Sequence, residues 1–460
     1  MPEKAWDYVK EAFQLSWARV CRDSVPHNPF FLMCASAGSS ALDDRVRAVA
    51  RARGTSPVAV LGQCLLGPLS APDRPGPRHT LLAVCPNSTA VTRAALLAAK
   101  EARTPLFYAA TLNQVDRDGG YTGWTPDALA AFVANETDRL GVEVPVFLGL
   151  DHGGPWAKDA HASAGLSPDA AMTEAKRSVT ACIEAGYDLL HLDPAAGPPD
   201  APDEPLSLGT LVERTVTLLQ HAETVRAARD RPPLAYEVGT DEARGGLQSP
   251  DRVRSFLRRL HTALDAHGLP RPSFVVGDLG TRLDSGRFDA DRARQFVAAA
   301  GETGTLVKGH YTDGVDVPAD YPRSGVGGAN VGPGLSAVEA AAVRDLAALE
   351  AQLDGDSGVM DALRTAVVDS GRWRKWLHPD EQGTSFSALP TDRQRWLVDT
   401  GSRYVWADPD VQAARTALYE HVAPYRDAEA FVLWRLKTAI LRYMHAFNLV
   451  GLTDPLMKAL

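Results

Sequence analysis

The sequence predicts an α/β chain built on a (β/α)8 barrel, with a helical N-terminal extension before it and a helical C-terminal region after it. Three observations carry this prediction. Short apolar runs alternate with amphipathic helical runs across 79–345. The runs number eight. Ionisable residues recur at their C-terminal ends, where a barrel gathers its chemistry.

In order, the runs are LLAVC (81–85), PLFYAA (105–110), PVFLGLD (145–151) and LLHLD (189–193), then LAYEVG (234–239), SFVVGD (273–278), TLVKG (305–309) and a weaker one at 329–331. Parallel strands covered on both faces read as continuous apolar stretches, and helices between them supply the crossovers. The stretches 90–102, 126–140 and 169–185 carry that helical spacing. Eight such units in about 250 residues is the size of a TIM barrel. The alternative is an open doubly wound sheet, but no GxGxxG follows the first run, so a dinucleotide fold has little support.

The sequence divides into 1–78, 79–345 and 346–460. The first part reads as helical, most clearly at 5–20 and 40–53, and ends in APDRPGPRH (71–79), a linker or surface loop. The last part reads as helices packed on the barrel, with Trp and Tyr scattered among them. No short-period repeat is visible.

A length of 460 residues suits a barrel with appended helices, and 45% hydrophobic with 23% charged residues is ordinary for a globular protein. The net charge of −9, with acidic residues spread along the chain, argues against a general nucleic-acid binder. It leaves room for a local basic pocket. The five cysteines, Cys21, Cys34, Cys64, Cys85 and Cys182, form no CxxC and no metal-ligand spacing. Reduced thiols and a cytoplasmic protein are expected. The start MPEKAWDYVKEAF has charges where a signal peptide needs an apolar run, and the apolar stretch 30–34 is too short to span a bilayer, so no membrane partner is expected.

The strand ends are polar. Asn113, Gln114 and Asp116 follow the second run, Asp151-His152 ends the third, and His191 and Asp193 lie on the fourth. Glu237 lies on the fifth, Asp278 ends the sixth, and His310 and Asp313 follow the seventh. A single Asp after a strand is commonly a helix N-cap, and a single His commonly a satisfied polar residue. Five successive strands ending in Asp, His or Glu, the third to the seventh, converge on one mouth and exceed what capping explains. The glycine-rich GVGGANVGPGLS (325–336) spans the last turn. There Gly332, Gly334 and Ser336 read either as a phosphate cradle at a helix N-terminus or as a turn with an N-cap at Ser336. Lys308, beside His310, either pairs with a phosphate or lies on the barrel wall.

The segment NQVDRDGGYTGWTP (113–126) resembles the NQVDxxGGYTGxTP signature of the class II tagatose-bisphosphate aldolase accessory subunits, often called non-catalytic. In the same order come LDHGGP (150–155), HLD (191–193), EVGTDE (237–242), HYTD (310–313), NVGP (330–333) and SRYVWADPDV (402–411). The resemblance covers 79–460; the first 78 residues have no counterpart in it. It implies kinship with class II aldolases, metal-dependent TIM barrels whose third-strand Asp-His pair supplies an acid/base and a zinc ligand. By that resemblance Asp151 is the acid/base, joined by Asp193 and Glu237. His152, Glu237 and His310 become the ligands of a divalent metal such as Zn2+. Independently of the resemblance, the expected substrate contacts are Asn113, Gln114, Lys308, Gly332 and Ser336. One departure stands out: those aldolases carry a histidine ligand on the sixth strand, where this chain has FVVGDLG and Asp278. The site could instead recruit Asp278 or Asp193, or bind no metal.

The chemistry so implied is retro-aldol. A Lewis acid polarises a ketose carbonyl while a carboxylate takes the C4 hydroxyl proton, and the C3–C4 bond breaks. Release gives two carbonyl fragments; re-addition to the other aldehyde face gives the C4 epimer. Three functions are therefore expected in competition. They are a metal-dependent enzyme acting on a ketose phosphate, an accessory subunit stabilising a separate catalytic aldolase, and a sugar-binding or scaffold protein with a vestigial site. The expected partners are a sugar phosphate and either a catalytic aldolase subunit or a second copy.

Overall fold

The apolar runs pair edge to edge, as continuous burial requires. In the computed structural model, which describes residues 40–67, 78–196, 206–239, 247–284 and 287–460, eight parallel strands close into a barrel in chain order. They are β1 (Leu81–Val84), β2 (Leu106–Thr111), β3 (Val146–Asp151), β4 (Leu189–Leu192), β5 (Ala235–Gly239), β6 (Phe274–Val276), β7 (Leu306–Gly309) and β8 (Gly328–Val331). Closure runs through β1 and β8, with Leu81 opposite Gly328 and Val84 opposite Val331. The weak apolar stretch at 329–331 is thus a full barrel strand, buried along its length. The helix expected at 5–20 and most of the loop at 71–79 lie outside the described residues.

Two helices precede the barrel, α1 (Ser40–Arg53) and α2 (Pro57–Leu66). They cover its N-terminal end. Leu42, Val46, Val60 and Leu61 are fully buried there. Arg47 Nη1 reaches Asp188 Oδ1 at 2.9 Å, at the foot of β4, while Asp188 Oδ2 accepts the N–H of Leu148 at 3.2 Å. Burial raises the Asp188 carboxyl even with that guanidinium beside it.

Around the barrel run α3 (Thr89–Ala102), α4 (Pro126–Leu140), α5 (Asp159–Ser163), α6 (Pro168–Glu184), α7 (Leu208–Ala228), α8 (Pro250–Ala266), α9 (Ala290–Gly301) and α10 (Asp320–Ser324). After β8 come α11 (Pro333–Gln352), α12 (Val359–Asp369), α13 (Thr391–Gly401), α14 (Pro409–Val422), α15 (Ala428–Ala446) and α16 (Thr453–Ala459). The chain starts α11 at Pro333, so Ser336 lies inside the first turn and is not its N-cap. The fixed φ of proline favours the first helical position, which sets the boundary earlier than the serine suggested.

The C-terminal helices pack on one flank and reach the mouth. α15 lies against α3 and α11. Buried Glu339 on α11 accepts from Ser88 Oγ at 2.6 Å and Arg415 Nη1 at 2.8 Å, tying α14, α11 and the start of α3 together. The turn Arg372–Trp376 extends over the β3 loop, where Arg372 and Lys375 both hold Asp159. Among the described residues no helix is long and apolar enough to cross a membrane. Cys85 and Cys182 are buried thiols.

The N-terminal helices act as a packed floor, so a cavity there destabilises the barrel. Leu61→Ala is expected to cost roughly 2–5 kcal/mol in denaturant-induced unfolding, by lost burial and the void left behind. A change below about 0.5 kcal/mol would show that α2 contributes no core.

Candidate active site

The helix N-caps decide how to read the strand-end acids. Ser88, Thr125, Ser167, Ser207, Ser249 and Asp289 cap the helices that follow β1 to β6, each accepting a backbone N–H in the first turn. Asp151, Asp193, Glu237 and Asp278 are left over from that task. Each is buried.

Asp151, His152, His191 and His310 form one cluster, with a ligand atom from each lying within 4.8 Å of the others. Asp151 Oδ1 stands 3.1 Å from His191 Nδ1, 3.7 Å from His310 Nε2 and 4.0 Å from His152 Nε2. Asn330 Nδ2 donates to Asp151 Oδ2 at 3.2 Å. Burial opposes charge on Asp151, but the three imidazoles outweigh it and hold the carboxyl well below its ordinary range.

The backbone arranges these rings. His152 has φ of +50°, a left-handed conformation uncommon for a side chain of this size, and Tyr311, directly after His310, has the same value. The next residues explain why β3 turns so sharply. A Cβ on Gly154 would lie 1.6 Å from the Asp193 carbonyl oxygen, and one on Gly153 would lie 2.9 Å from that of His191. Only glycines let the β3 loop pass so close to the end of β4. The passage brings His152 Nδ1 to Asp193 Oδ2 at 2.8 Å, which fixes the ring and turns Nε2 towards Asp151. His191 is held from both sides: its Nδ1 accepts the His152 backbone N–H at 3.1 Å, and its Nε2 meets the Gly239 carbonyl oxygen at 2.8 Å.

Glu237 lies next to the cluster. Its Oε1 is 3.3 Å from His310 Nε2 and 3.8 Å from His191 Nδ1, and its Oε2 accepts from Lys308 Nζ at 2.5 Å. Burial disfavours its charge, yet Lys308 and the two histidines bring its pKa down to about 2. Lys308 is thus engaged within the barrel by a carboxylate. Asp278 stands apart, with Arg282 Nη1 at 3.1 Å and Arg292 Nη2 at 2.8 Å. It does not replace the absent sixth-strand histidine.

The remaining expected contacts brace loops. Gln114 Nε2 donates to Asn87 Oδ1 at 2.6 Å, and its Oε1 accepts the Thr111 N–H. Asn113 accepts the Asp159 N–H and donates to the Ala157 carbonyl. Asp116 holds Lys158 at 2.7 Å. The glycine-rich turn already holds an anion: Asp313 Oδ1 accepts the N–H groups of both Gly332 and Gly334 at 2.8 Å. Sequence reasoning did not assign roles to Asn330 or Asn87, although Asn330 stands inside NVGP.

The donor set fits a divalent metal ion. Two imidazole nitrogens, from His152 and His310, face a carboxylate in a buried site, and the carboxylate of Asp193 holds the far nitrogen of His152, as metal-binding histidines usually require.

Burial raises the pKa of Asp313 to about 6 despite its two backbone donors. Because that is above the ordinary value, Asp313 contributes stability that is full below about pH 4 and is lost as pH rises through about 6. Asp313→Asn keeps the accepting oxygen and removes the titration. Between about pH 4 and 7 the wild type should lose on the order of 3 kcal/mol relative to the variant in urea unfolding. A pH-independent difference between the two proteins would refute this.

Comparison with known proteins finds relatives of the kind that the motifs resemble. Residues 68–261 match the family described as D-tagatose-1,6-bisphosphate aldolase subunit GatZ/KbaZ-like. A D-tagatose 6-phosphate 4-epimerase of Agrobacterium fabrum (strain C58 / ATCC 33970) is 28% identical over 386 residues, covering 77% of this chain and 87% of that protein. The D-tagatose-1,6-bisphosphate aldolase subunit GatZ of Escherichia coli (strain SMS-3-5 / SECEC) is 28% identical over 367 residues, covering 74% and 83%. A crystal structure of a probable tagatose 6 phosphate kinase from Sinorhizobium meliloti 1021 shares the fold, with a TM-score of 0.64 and 24% identity over 80% of this chain and 100% of that one. The motifs at 113–126, 150–155, 191–193 and 237–242 all fall inside residues 68–261, the stretch that matches the D-tagatose-1,6-bisphosphate aldolase subunit GatZ/KbaZ-like family.

Proposed function

We propose that this chain is a metal-dependent enzyme that performs retro-aldol and aldol chemistry on a ketose phosphate, with C4 epimerisation as its outcome. The observation that carries the reading is the buried Asp151 carboxylate ringed by His152, His191 and His310. Substrate class comes from the relatives, one of which is named a tagatose 6-phosphate 4-epimerase.

In this reading His152 Nε2, His310 Nε2 and Glu237 Oε1 hold the ion, which we assign as Zn2+ from its nitrogen and carboxylate donors. When bound, the ion supplies Lewis-acid polarisation of the ketose carbonyl. Lys308 keeps Glu237 ionised, and Asp193 keeps the His152 ring in place. Asp151, oriented by Asn330, takes the proton of the C4 hydroxyl. The C3–C4 bond then breaks, its electron pair entering the enediolate of the C1–C3 fragment while C4 becomes an aldehyde. If the aldehyde stays in the mouth and turns its other face, the bond re-forms and Asp151 returns the proton to the inverted C4 oxygen. Escape of the aldehyde gives cleavage instead. Asn113, Gln114 and the turn at Gly332 shape the mouth. The barrel and the helices of 346–460 act as one unit in the cytoplasm.

A second reading, an accessory subunit of a class II aldolase, is favoured by the subunit name of the GatZ relatives and by Asp278, locked by two arginines where a sixth-strand histidine would stand.

Incubation of the purified chain alone with D-tagatose 6-phosphate, followed by NMR, separates the two. The enzyme reading expects the C4 epimer without any partner. Asp151→Asn should keep the metal and lower turnover by about 100-fold or more. His152→Ala should lose stoichiometric metal by elemental analysis. No product from the chain alone, together with activity on adding a catalytic aldolase subunit, would establish the accessory role.

A further inference from the structure

Around the barrel mouth the cations are almost all answered by carboxylates. Lys158 sits on Asp116 and Asp118, Lys308 on Glu237, Arg282 and Arg292 on Asp278, and Arg372 with Lys375 on Asp159. Arg403 differs. It is 4% exposed, and among the described residues no carboxylate lies within ion-pair distance of it. Its guanidinium donates to the Thr400 carbonyl and to Tyr404 Oη at 2.8 Å, and lies 5.0 Å from the Trp376 ring and 4.3 Å from the Tyr404 ring. Two of five N–H donors are thereby used. Stacking on aromatic faces orients an arginine fork but does not neutralise it, and a buried cation without a counter-charge is costly.

Its position is beside the barrel mouth. Arg403 belongs to the short turn Ser402–Tyr404, and Ser402 Oγ donates to the Ser336 carbonyl at 3.3 Å, in the first turn of α11. Tyr404 meets Tyr121 of the β2 loop edge-on at 5.1 Å. The turn therefore sits between the loop after β2 and the helix after β8, both at the C-terminal ends of the strands. Ser336 Oγ is buried there with no hydrogen-bond partner. The charge of Arg403 also reaches Cys85 and Asp313, at the ends of β1 and β7, in each case acting against a larger effect of burial. The glycine turn itself offers less to an incoming anion, since Asp313 takes its N–H groups.

We propose that Arg403, with the Ser336 hydroxyl, forms the subsite that takes the phosphate group of the substrate. A phosphate presents two oxygens of its tetrahedron to the planar arginine fork and brings a negative charge within ion-pair distance of it. This rests on the ketose-phosphate reading above and assigns that reading its phosphate contact.

Isothermal titration of the intact, metal-loaded chain with inorganic phosphate tests the subsite without turnover. The wild type should bind phosphate, and Arg403→Met should weaken binding by about tenfold or more. Arg403→Lys should recover part of it, because charge returns without the fork. In turnover, both substitutions should raise KM for D-tagatose 6-phosphate. Bound metal should stay the same in every variant. If Arg403→Met does not fold, Arg403→Lys and Ser336→Ala carry the test. Phosphate affinity unchanged in folded Arg403→Lys and Ser336→Ala overturns the proposal. If the chain turns over no ketose phosphate, yet its phosphate binding falls with Arg403→Met, the subsite stands and only the enzymatic reading fails.

Discussion

A carboxylate removed from water must be answered by positive charge or by hydrogen bonds, and the top of this barrel is organised around that demand at Asp151. Its three histidine neighbours come from β3, the β4 strand and the end of β7, and its asparagine from β8. None of these contacts would survive a slip of register in the barrel. The requirement passes outward from there. His152 reaches Asp151 only because Asp193 holds its other nitrogen, and Asp193 can do so only because Gly153 and Gly154 let the β3 loop pass against β4. His310 is held beside Glu237, whose charge Lys308 sustains from within the barrel. The histidines, the glycines and the buried lysine answer one electrostatic problem in successive layers.

The strands were legible because burial on both faces leaves a simple mark. Even the weak run at 329–331 could be placed, since a closed barrel needs an eighth strand to pair with the first. The Asp-His pair at the end of β3 was legible as a candidate because its neighbours on other strands were also polar. What stayed hidden was the pairing across the barrel. Glu237 and Lys308 are 71 residues apart, and nothing in either segment announces the other. Lys308 read either as a phosphate contact or as part of the barrel wall, and in the structure it is the counter-charge of a carboxylate. The glycine-rich turn read either as an anion cradle or as a simple turn with an N-cap, and in the structure it holds Asp313; HYTD and NVGP look unrelated until β7 and β8 lie side by side.

His191 illustrates a finer limit. Its sequence context, HLD, marks it as a strand-end residue but says nothing of its two nitrogens. In the structure one accepts the His152 backbone N–H and the other meets the Gly239 carbonyl oxygen. That leaves its ring better suited to orienting His152 than to holding an ion, although it belongs to the cluster by distance. His152 and His310 each turn Nε2 towards Asp151, and in the proposed function the ligand role goes to them. Distance alone does not separate a ligand from the residue that aims it; the partners of the second nitrogen do.

The C-terminal helices fit the same account. A barrel that cleaves a carbon–carbon bond and re-forms it must keep the aldehyde fragment from escaping, and its strand ends alone form an open mouth. Here residues far along the chain reach over that mouth: Arg372 and Lys375 fasten the turn at Arg372–Trp376 to Asp159, and Tyr404 places an aromatic edge against Tyr121. These contacts join the β3 loop, the β2 loop and the C-terminal region into one wall. A wall assembled from separate segments can enclose a fragment during rotation more completely than any single βα loop. Under the proposed function, the choice between epimer and cleavage products would depend on how tightly that wall closes as much as on Asp151, since the same proton transfer serves either outcome.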